Sequence, residues 1–296
     1  MSDAPPRERR TGGTGAAILE LLLLPNLGLN LFFVLGFLLL ATQGRPLLVP
    51  SLLIVLAFVA ARNAGHAFNQ WADRRLDAAN ARTRNRPLVE GRLSGRTVLL
   101  LVAANIVLFF VAAALLRPVL VLLAVPALAL VIGYSYTKRL TPWTTVILGA
   151  VESLVPAGVY LAVTGTLPVA AWLGIAALVF FGTAFEIVHS LQDVEVDRAQ
   201  GLHSLPVTLG PARAVTLQAG CLAGAIVFLA GVGSVVLGPS LPYVVGLAGI
   251  GLVALLEVRG LSSRSWSLLR AFRSHYLMGG LFFAATLLAY VFPLGR

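Results

Sequence analysis

The sequence predicts an all-α integral membrane protein: nine transmembrane helices forming one bundle, with two Asp-rich cytoplasmic loops. Three observations carry this. The 296 residues are 58% hydrophobic and only 11% charged, with a mean hydropathy of +0.90, well outside the composition of a soluble globular domain. The chain divides into nine apolar runs near the ~20 residues that a helix needs to cross a bilayer. Its basic residues are also segregated. Eighteen of the 22 Lys and Arg fall in the N-terminal tail and alternate loops, three (Arg45, Arg117, Arg296) lie on the opposite side, and Arg62 is within a run. That asymmetry places the N-terminus and the long loops in the cytoplasm. The net charge of +10 is thereby mostly topogenic and does not point to nucleic acid; what remains can attract anionic lipid headgroups or an anionic substrate.

Taken in order, residues 1–15 carry Arg7, Arg9, Arg10 and several Gly and Pro, and read as a disordered cytoplasmic tail. Residues 16–296 form a single domain. Its first run is too long, and too dotted with Glu20, Pro25, Asn26 and Asn30, for the core of a signal peptide. The spans are expected at 16–41, 48–70, 97–116, 118–136, 143–164, 169–191, 212–236, 241–258 and 272–293. Arg117-Pro118 makes a tight turn between the third and fourth, and Pro25, Pro126 and Pro156 imply kinks. Cys221, the one cysteine, lies in an apolar run and reads as a small core residue.

Two segments break the apolar pattern, at 62–88 and 186–206. On a continuous helix Arg62, His66, Asn69, Asp73 and Asp77 fall within a sector of roughly 80°. Glu186, His189, Ser190, Asp193 and Asp197 also share one face, and Asp73 and Asp77 match Asp193 and Asp197 at an offset of 120 residues. The chain therefore reads as a diverged internal duplication. Each Asp-x-x-x-Asp puts two like charges about 6 Å apart on one face, a self-repelling arrangement. A divalent cation converts that repulsion into ligation, and Mg²⁺ in particular leaves room for phosphate oxygens. Arg82, Arg84 and Arg86 follow the first pair and offer forked donors to a diphosphate. Lys138 is the one lysine, in Tyr134-Ser-Tyr-Thr-Lys138 at a cytoplasmic span end. Glu20, Glu152, Glu186 and Arg62 are costly inside spans and imply a polar, helix-lined cavity. Glu257, two residues from Arg259, reads as half of an interfacial pair. With no Cys or His at ligand spacing, His66 and His189 do not suggest zinc.

Asn69-x-x-x-Asp73-x-x-x-Asp77 with Arg82-Thr-x-Asn-Arg86-Pro-Leu, then Tyr134-x-x-x-Lys138, then Asp193-x-x-x-Asp197 resembles the UbiA-type intramembrane aromatic prenyltransferases. The stretch Leu191-Gln-Asp-Val-Glu-Val-Asp197 through Pro206 is most similar to the bacterial polyprenyltransferases of 4-hydroxybenzoate or of the futalosine route to menaquinone. The resemblance implies transfer of a polyprenyl group from its diphosphate to a 4-hydroxybenzoate-like acceptor, for ubiquinone or menaquinone biosynthesis, in a bacterial-type inner (cell) membrane. It implies that Asn69, Asp73, Asp77, Asp193 and Asp197 hold Mg²⁺ and the diphosphate. By the same likeness Lys138, with Tyr134 beside it, neutralises the leaving group, and Arg62 lines the acceptor pocket. Glu186 and His189 fall in the presumed substrate pocket. The chain departs from the family pattern at Gln70, Glu152, Glu186, His189 and Ser190.

A secondary transporter is the reading from another class, since it too can carry an internal duplication and buried charges. Transporters place those charges at broken helices near the midplane; here the Asp pairs close their spans beside basic loops. A membrane phosphatase or lipid phosphotransferase would need a nucleophile or a different Asp/Gly pattern.

Overall fold

A computed structural model describes residues 13–22 and 27–294. Most of the tail expected at 1–15, with Pro25 and Asn26, lies outside the described residues, and helix begins already at Thr14. The first run contains two helices, α1 (Thr14–Leu22) and α2 (Leu27–Ala41). Then come α3 (Leu48–Ala79), α4 (Gly95–Leu116), α5 (Pro118–Thr137), α6 (Thr144–Glu152), α7 (Leu154–Thr164) and α8 (Val169–Leu191). Two short helices, α9 (Val194–Ala199) and α10 (Leu205–Leu209), precede α11 (Pro211–Val236), α12 (Leu241–Ser262) and α13 (Leu268–Val291). Among the described residues, eight helical segments are long and apolar enough to cross a membrane, α6 and α7 counting as one; α2 is apolar but shorter.

The fold is an all-α, multi-pass membrane bundle whose helices pack in a ring. α3, α4 and α5 pack on one another, α5 on α6, α6 and α7 on α8, α8 on α11, and α11 on α12. α12 then packs on α13, and α13 closes the ring on α2, which also touches α7. α8 is the most enclosed, with 67% of its apolar stretch buried against 17–44% for the other spans. Glycines set the closest approach in this wall. A Cβ on Gly149 of α6 would meet the Val179 carbonyl of α8, and one on Gly182 would meet the Gly149 backbone, so small residues let the two helices touch. Phe33 on α2 packs on Phe181 of α8 at 4.8 Å and on Phe282 of α13 at 5.3 Å between ring centres.

Local sequence explains the ends. Ser94 accepts from the Thr97 amide at 3.0 Å to cap α4, and Ser267 accepts from Arg270 at 3.2 Å to cap α13. The kink expected at Pro156 appears as the break between α6 and α7 at Ser153, because Pro156 has no N–H for the Glu152 carbonyl four residues back. Arg117 makes the expected α4–α5 turn and does more: its guanidinium donates to the Ala162 and Val163 carbonyls, both at 2.9 Å, at the C-terminal end of α7.

α3 is longer than its expected limit of 70 and carries the first polar stripe unbroken to Ala79. The second stripe is not continuous. α8 stops at Leu191, and Asp193 has non-helical backbone angles (φ −113°, ψ 5°) before α9 begins. Its carbonyl still accepts from the Asp197 amide at 2.7 Å, so the two carboxylates stay neighbours across the break.

Candidate active site

The two motif segments meet at one end of the bundle. Asn80, just past α3, donates to Asp193 Oδ1 at 2.9 Å, and Gln200, just past α9, donates to the Leu76 carbonyl at 3.2 Å. Gly201, at φ +66°, turns the chain after α9, and the His203 amide then donates to the Lys138 carbonyl at 2.7 Å. Three segments distant in sequence thus enclose a pocket of about 90 Å³ walled by Asn69, Asp73, Asp77, Lys138, Asp193 and Asp197.

Every one of the four aspartates faces a cation. Arg82 forks onto Asp193, with Nε at 3.1 Å from Oδ1 and Nη2 at 2.5 Å from Oδ2. Arg86 reaches Asp77 Oδ2 at 2.6 Å, Arg139 reaches Asp73 Oδ1 at 2.7 Å, and Lys138 Nζ lies 3.6 Å from Asp197 Oδ2. Asn69 donates to the remaining oxygen of Asp73 at 3.1 Å. Burial alone would push the Asp193 carboxyl up, but the hydrogen bonds and charge of Arg82 hold it below the usual range. Burial raises Asp197, the charges of Asp193 and Glu186 add to this, and Lys138 only partly opposes it. Burial works against the Lys138 charge, yet Glu186, Asp197 and Asp193 outweigh it and hold the ammonium above its ordinary range.

Among the described residues no three acidic, His or Cys side chains converge as a ready metal cage, because each carboxylate is turned toward its basic partner. The donor set nonetheless suits a hard divalent cation. It consists of carboxylate and amide oxygens, and Asp197 Oδ2 is buried without a hydrogen-bond partner.

Five residues, Asn69, Arg82, Arg86, Tyr134 and His189, also line a second and larger space, a cavity of about 800 Å³ that runs through the bundle. It extends past Val131, Leu148 and Val155 to Leu116 and Leu161 at the far ends of α4 and α7. Arg62, Glu20, Glu152 and Glu186 all line it, as the cost of their burial implied. Arg62 pairs with none of those carboxylates: Nη1 donates to the Leu22 carbonyl at 3.0 Å and to Asn63 Oδ1 at 3.2 Å. Glu152 accepts from Asn30 at 3.0 Å, and Glu20 takes both guanidinium branches of Arg92, at 2.7 and 3.1 Å. Glu186 accepts from Tyr134 at 3.0 Å and stands 3.2 Å from His189 Nδ1.

The profile of the UbiA prenyltransferase family matches residues 30–278, which is most of the bundle and both motif segments. The chain belongs to the UbiA prenyltransferase family. It is 36% identical over 171 residues to a 4-hydroxybenzoate octaprenyltransferase of Nitrosomonas eutropha, covering 58% of this chain and 60% of that protein. It is 32% identical over 243 residues to the enzyme so named in Methylobacillus flagellatus, covering 80% and 81%. The matches to the Nitrosomonas eutropha, Nitrosomonas europaea and Pseudomonas fluorescens proteins span about 60% of their length. The apo structure of a UbiA homolog from Aeropyrum pernix K1 superposes with a TM-score of 0.79 at 29% identity, covering 88% of this chain and 96% of the homolog. A UbiA homolog from Archaeoglobus fulgidus bound to GPP and Mg²⁺ shares the fold, with a TM-score of 0.72 at 21% identity, covering 93% and 99%.

Set in this UbiA fold, the residues singled out in the sequence divide. Asn69, Asp73, Asp77, Arg82, Arg86, Tyr134, Lys138, His189, Asp193 and Asp197 surround the small pocket, and Arg62 and Glu186 line the cavity. Arg84 is exposed and lines neither. Arg139, Asn80 and Gln200 were missed; Arg139 adjoins Lys138 and was hidden among basic residues read as topogenic. Glu257 is no interfacial partner of Arg259. It is fully buried, accepts from Gln218 at 2.5 Å and from Ser274, and lies 3.5 Å from His275.

Proposed function

We propose that this protein transfers a polyprenyl group from a polyprenyl diphosphate to an aromatic acceptor of the 4-hydroxybenzoate kind, within a bacterial cell membrane and in the service of quinone biosynthesis. One observation carries the reading: a small pocket of four acid–base pairs shares a wall with a large, mainly apolar cavity among membrane-spanning helices. A diphosphate head and an isoprenoid tail need those two environments side by side. The names of the Nitrosomonas and Methylobacillus relatives support the same reaction.

The four cations at the pocket are already balanced by four carboxylates, so a multiply charged diphosphate adds negative charge that the protein alone does not offset. Asn69, Asp73, Asp77, Asp193 and Asp197 would hold Mg²⁺, which when bound would supply that offset and stabilise charge on the leaving group. The Archaeoglobus homolog bound to GPP and Mg²⁺ is a precedent within the fold. Arg82, Arg86, Arg139 and Lys138 leave their aspartates for the phosphate oxygens, which frees the carboxylates to turn inward. Lys138, with Tyr134 nearby, faces the departing diphosphate. The apolar wall keeps water from the allylic cation until the electron-rich ring captures it. Arg62, which is ion-paired with no carboxylate among the described residues, receives the anionic end of the acceptor.

We further assign residues 16–296 to one catalytic domain with nine spans, α2 supplying the ninth, and place the N-terminus and both motif loops in the cytoplasm on the strength of their basic residues. Membrane lipid is the partner of the bundle's apolar outer face, and nucleic acid has no place in the reading.

Purified protein supplied with labelled octaprenyl diphosphate, Mg²⁺ and a panel of phenolic acids should yield a prenylated acceptor together with diphosphate. Release of diphosphate with no acceptor prenylated, across the whole panel, would overturn the aromatic part of the reading.

A further inference from the structure

In α8, His189 stands at the junction of the two spaces and Glu186 lines the larger one, and the balance of charge just described uses neither. Glu186 is 1% exposed. Its Oε1 accepts from the hydroxyls of Tyr134, at 3.0 Å, and Ser190, at 3.3 Å. Its Oε2 faces His189 Nδ1 at 3.2 Å. A carboxylate that accepts two hydroxyl protons offers no donor of its own, so the hydrogen on the third contact belongs to the imidazole. Nδ1 therefore carries a proton, and in the neutral ring Nε2, on the opposite edge, is the acceptor. On one side the ring packs against a pair of touching phenyls, Phe185, with centres 6.5 Å apart and planes 16° apart, and Phe272, with centres 6.0 Å apart. His189 lines both the large cavity and the diphosphate pocket.

From this geometry we infer that His189, oriented by Glu186, is the general base that removes the proton from the acceptor ring. The inference rests on the prenyl-transfer reading. In that reaction the C1–O bond of the donor breaks with its electron pair going to diphosphate, and a ring carbon of the acceptor bonds to C1. The ring then carries one hydrogen too many. His189 Nε2 takes that hydrogen as a proton, the C–H pair returns to the ring and restores aromaticity, and Glu186 balances the imidazolium. The proton afterwards leaves through the polar pocket, which His189 also borders. Two phenyl rings brace the imidazole on one side, a buried carboxylate orients it through Nδ1, and the residue borders both the cavity and the diphosphate pocket. This is the geometry a general base requires. A histidine serving only to fill space needs none of the three.

The test compares wild type with His189→Gln and Glu186→Gln, using 4-hydroxybenzoate carrying hydrogen or deuterium at the two positions beside the hydroxyl, with octaprenyl diphosphate and Mg²⁺. In wild type we expect breakage of the C–O bond to limit the rate and deuterium to have little effect. In His189→Gln we expect kcat to fall about a hundredfold and a clear primary deuterium effect on kcat to appear, while KM for either substrate moves little. Glu186→Gln keeps the hydrogen-bonding shape and should show the same signature in weaker form, which keeps the inference testable should His189→Gln fail to fold. A deuterium effect unchanged from wild type in a folded variant, or a defect confined to acceptor KM, overturns the base assignment and leaves prenyl transfer standing. A wild-type protein that prenylates none of the phenolic acids sinks the aromatic reading and this inference together.

Discussion

Arg82 and Asp193, 111 residues apart in sequence, form a two-pronged ion pair in which Nε and Nη2 of one guanidinium meet the two oxygens of one carboxylate at 3.1 and 2.5 Å. The pair joins the segment after α3 to the segment after α8, so the two Asp-x-x-x-Asp segments face each other across the pocket. It also shows how the protein can hold four carboxylates close together before any substrate arrives.

Replacing Asp193 by Asn should leave a folded, membrane-inserted protein and lower turnover by about a hundredfold or more, as expected when a group that stabilises developing charge is lost. Asp77→Asn should behave alike. The check is transfer of labelled prenyl at ordinary Mg²⁺ beside the elution profile of the variant. Activity within threefold of wild type in either variant would dissolve the idea of a shared metal site.

Arg82→Lys keeps the charge but loses the fork. Charge-assisted hydrogen bonds of this type are worth about 1.5–3 kcal/mol, so kcat/KM for the donor should drop by roughly ten- to a hundredfold with acceptor KM nearly unchanged. Arg84→Lys, at an exposed position outside both spaces, should be close to wild type. Equal loss from both substitutions would mean that the loop acts through net charge alone.

Arg62 donates to the Leu22 carbonyl and to Asn63 rather than to a carboxylate. If it receives an acidic acceptor, Arg62→Gln should raise acceptor KM at least tenfold, in line with a lost charged hydrogen bond, and leave donor KM alone. Glu152→Gln should be neutral or beneficial, since it removes a competing anion from the cavity. A lowered melting temperature with unchanged acceptor KM would assign Arg62 to holding α1 against α3 instead.

Glu257 is enclosed by Gln218 on α11 and by Ser274 and His275 on α13. Glu257→Ala leaves those polar groups without their acceptor, and the expected cost is about 2–4 kcal/mol. Thermal unfolding in detergent should show this as a clear fall in Tm, with Glu257→Gln closer to wild type. If the two variants melt together, the cluster is not what joins these helices.

Orientation can be read chemically. In a Cys221→Ser background, single cysteines at exposed Ala79 and at Leu47, 71% exposed, should react with an impermeant thiol reagent from opposite sides of the membrane. Labelling of both from one side would mean that the spans are miscounted.

The bundle was legible in the sequence because its causes are local. A bilayer demands ~20 apolar residues per helix, insertion sorts Lys and Arg by side, and a Pro or a Ser cap marks an end wherever it falls. The two Asp-x-x-x-Asp elements were legible for a related reason: like charges at that spacing, where a span closes, need an outside partner. Tertiary structure decided which partner each charge meets. Sequence spacing grouped Arg82, Arg84 and Arg86 together, yet only the fold turns Arg82 to Asp193 and Arg86 to Asp77, leaves Arg84 exposed, and brings Arg139 from the end of α5 to Asp73. The same holds for Glu257, whose near neighbour Arg259 suggested an interfacial pair, while the packing of α11 and α13 supplied Gln218, Ser274 and His275. Helical periodicity also carried the second stripe too far, since it cannot show that α8 ends at Leu191. Spacing along a chain constrains neighbours within a few turns of one helix; a charge buried between helices is matched by whatever the other helices bring, and that is settled only when they pack.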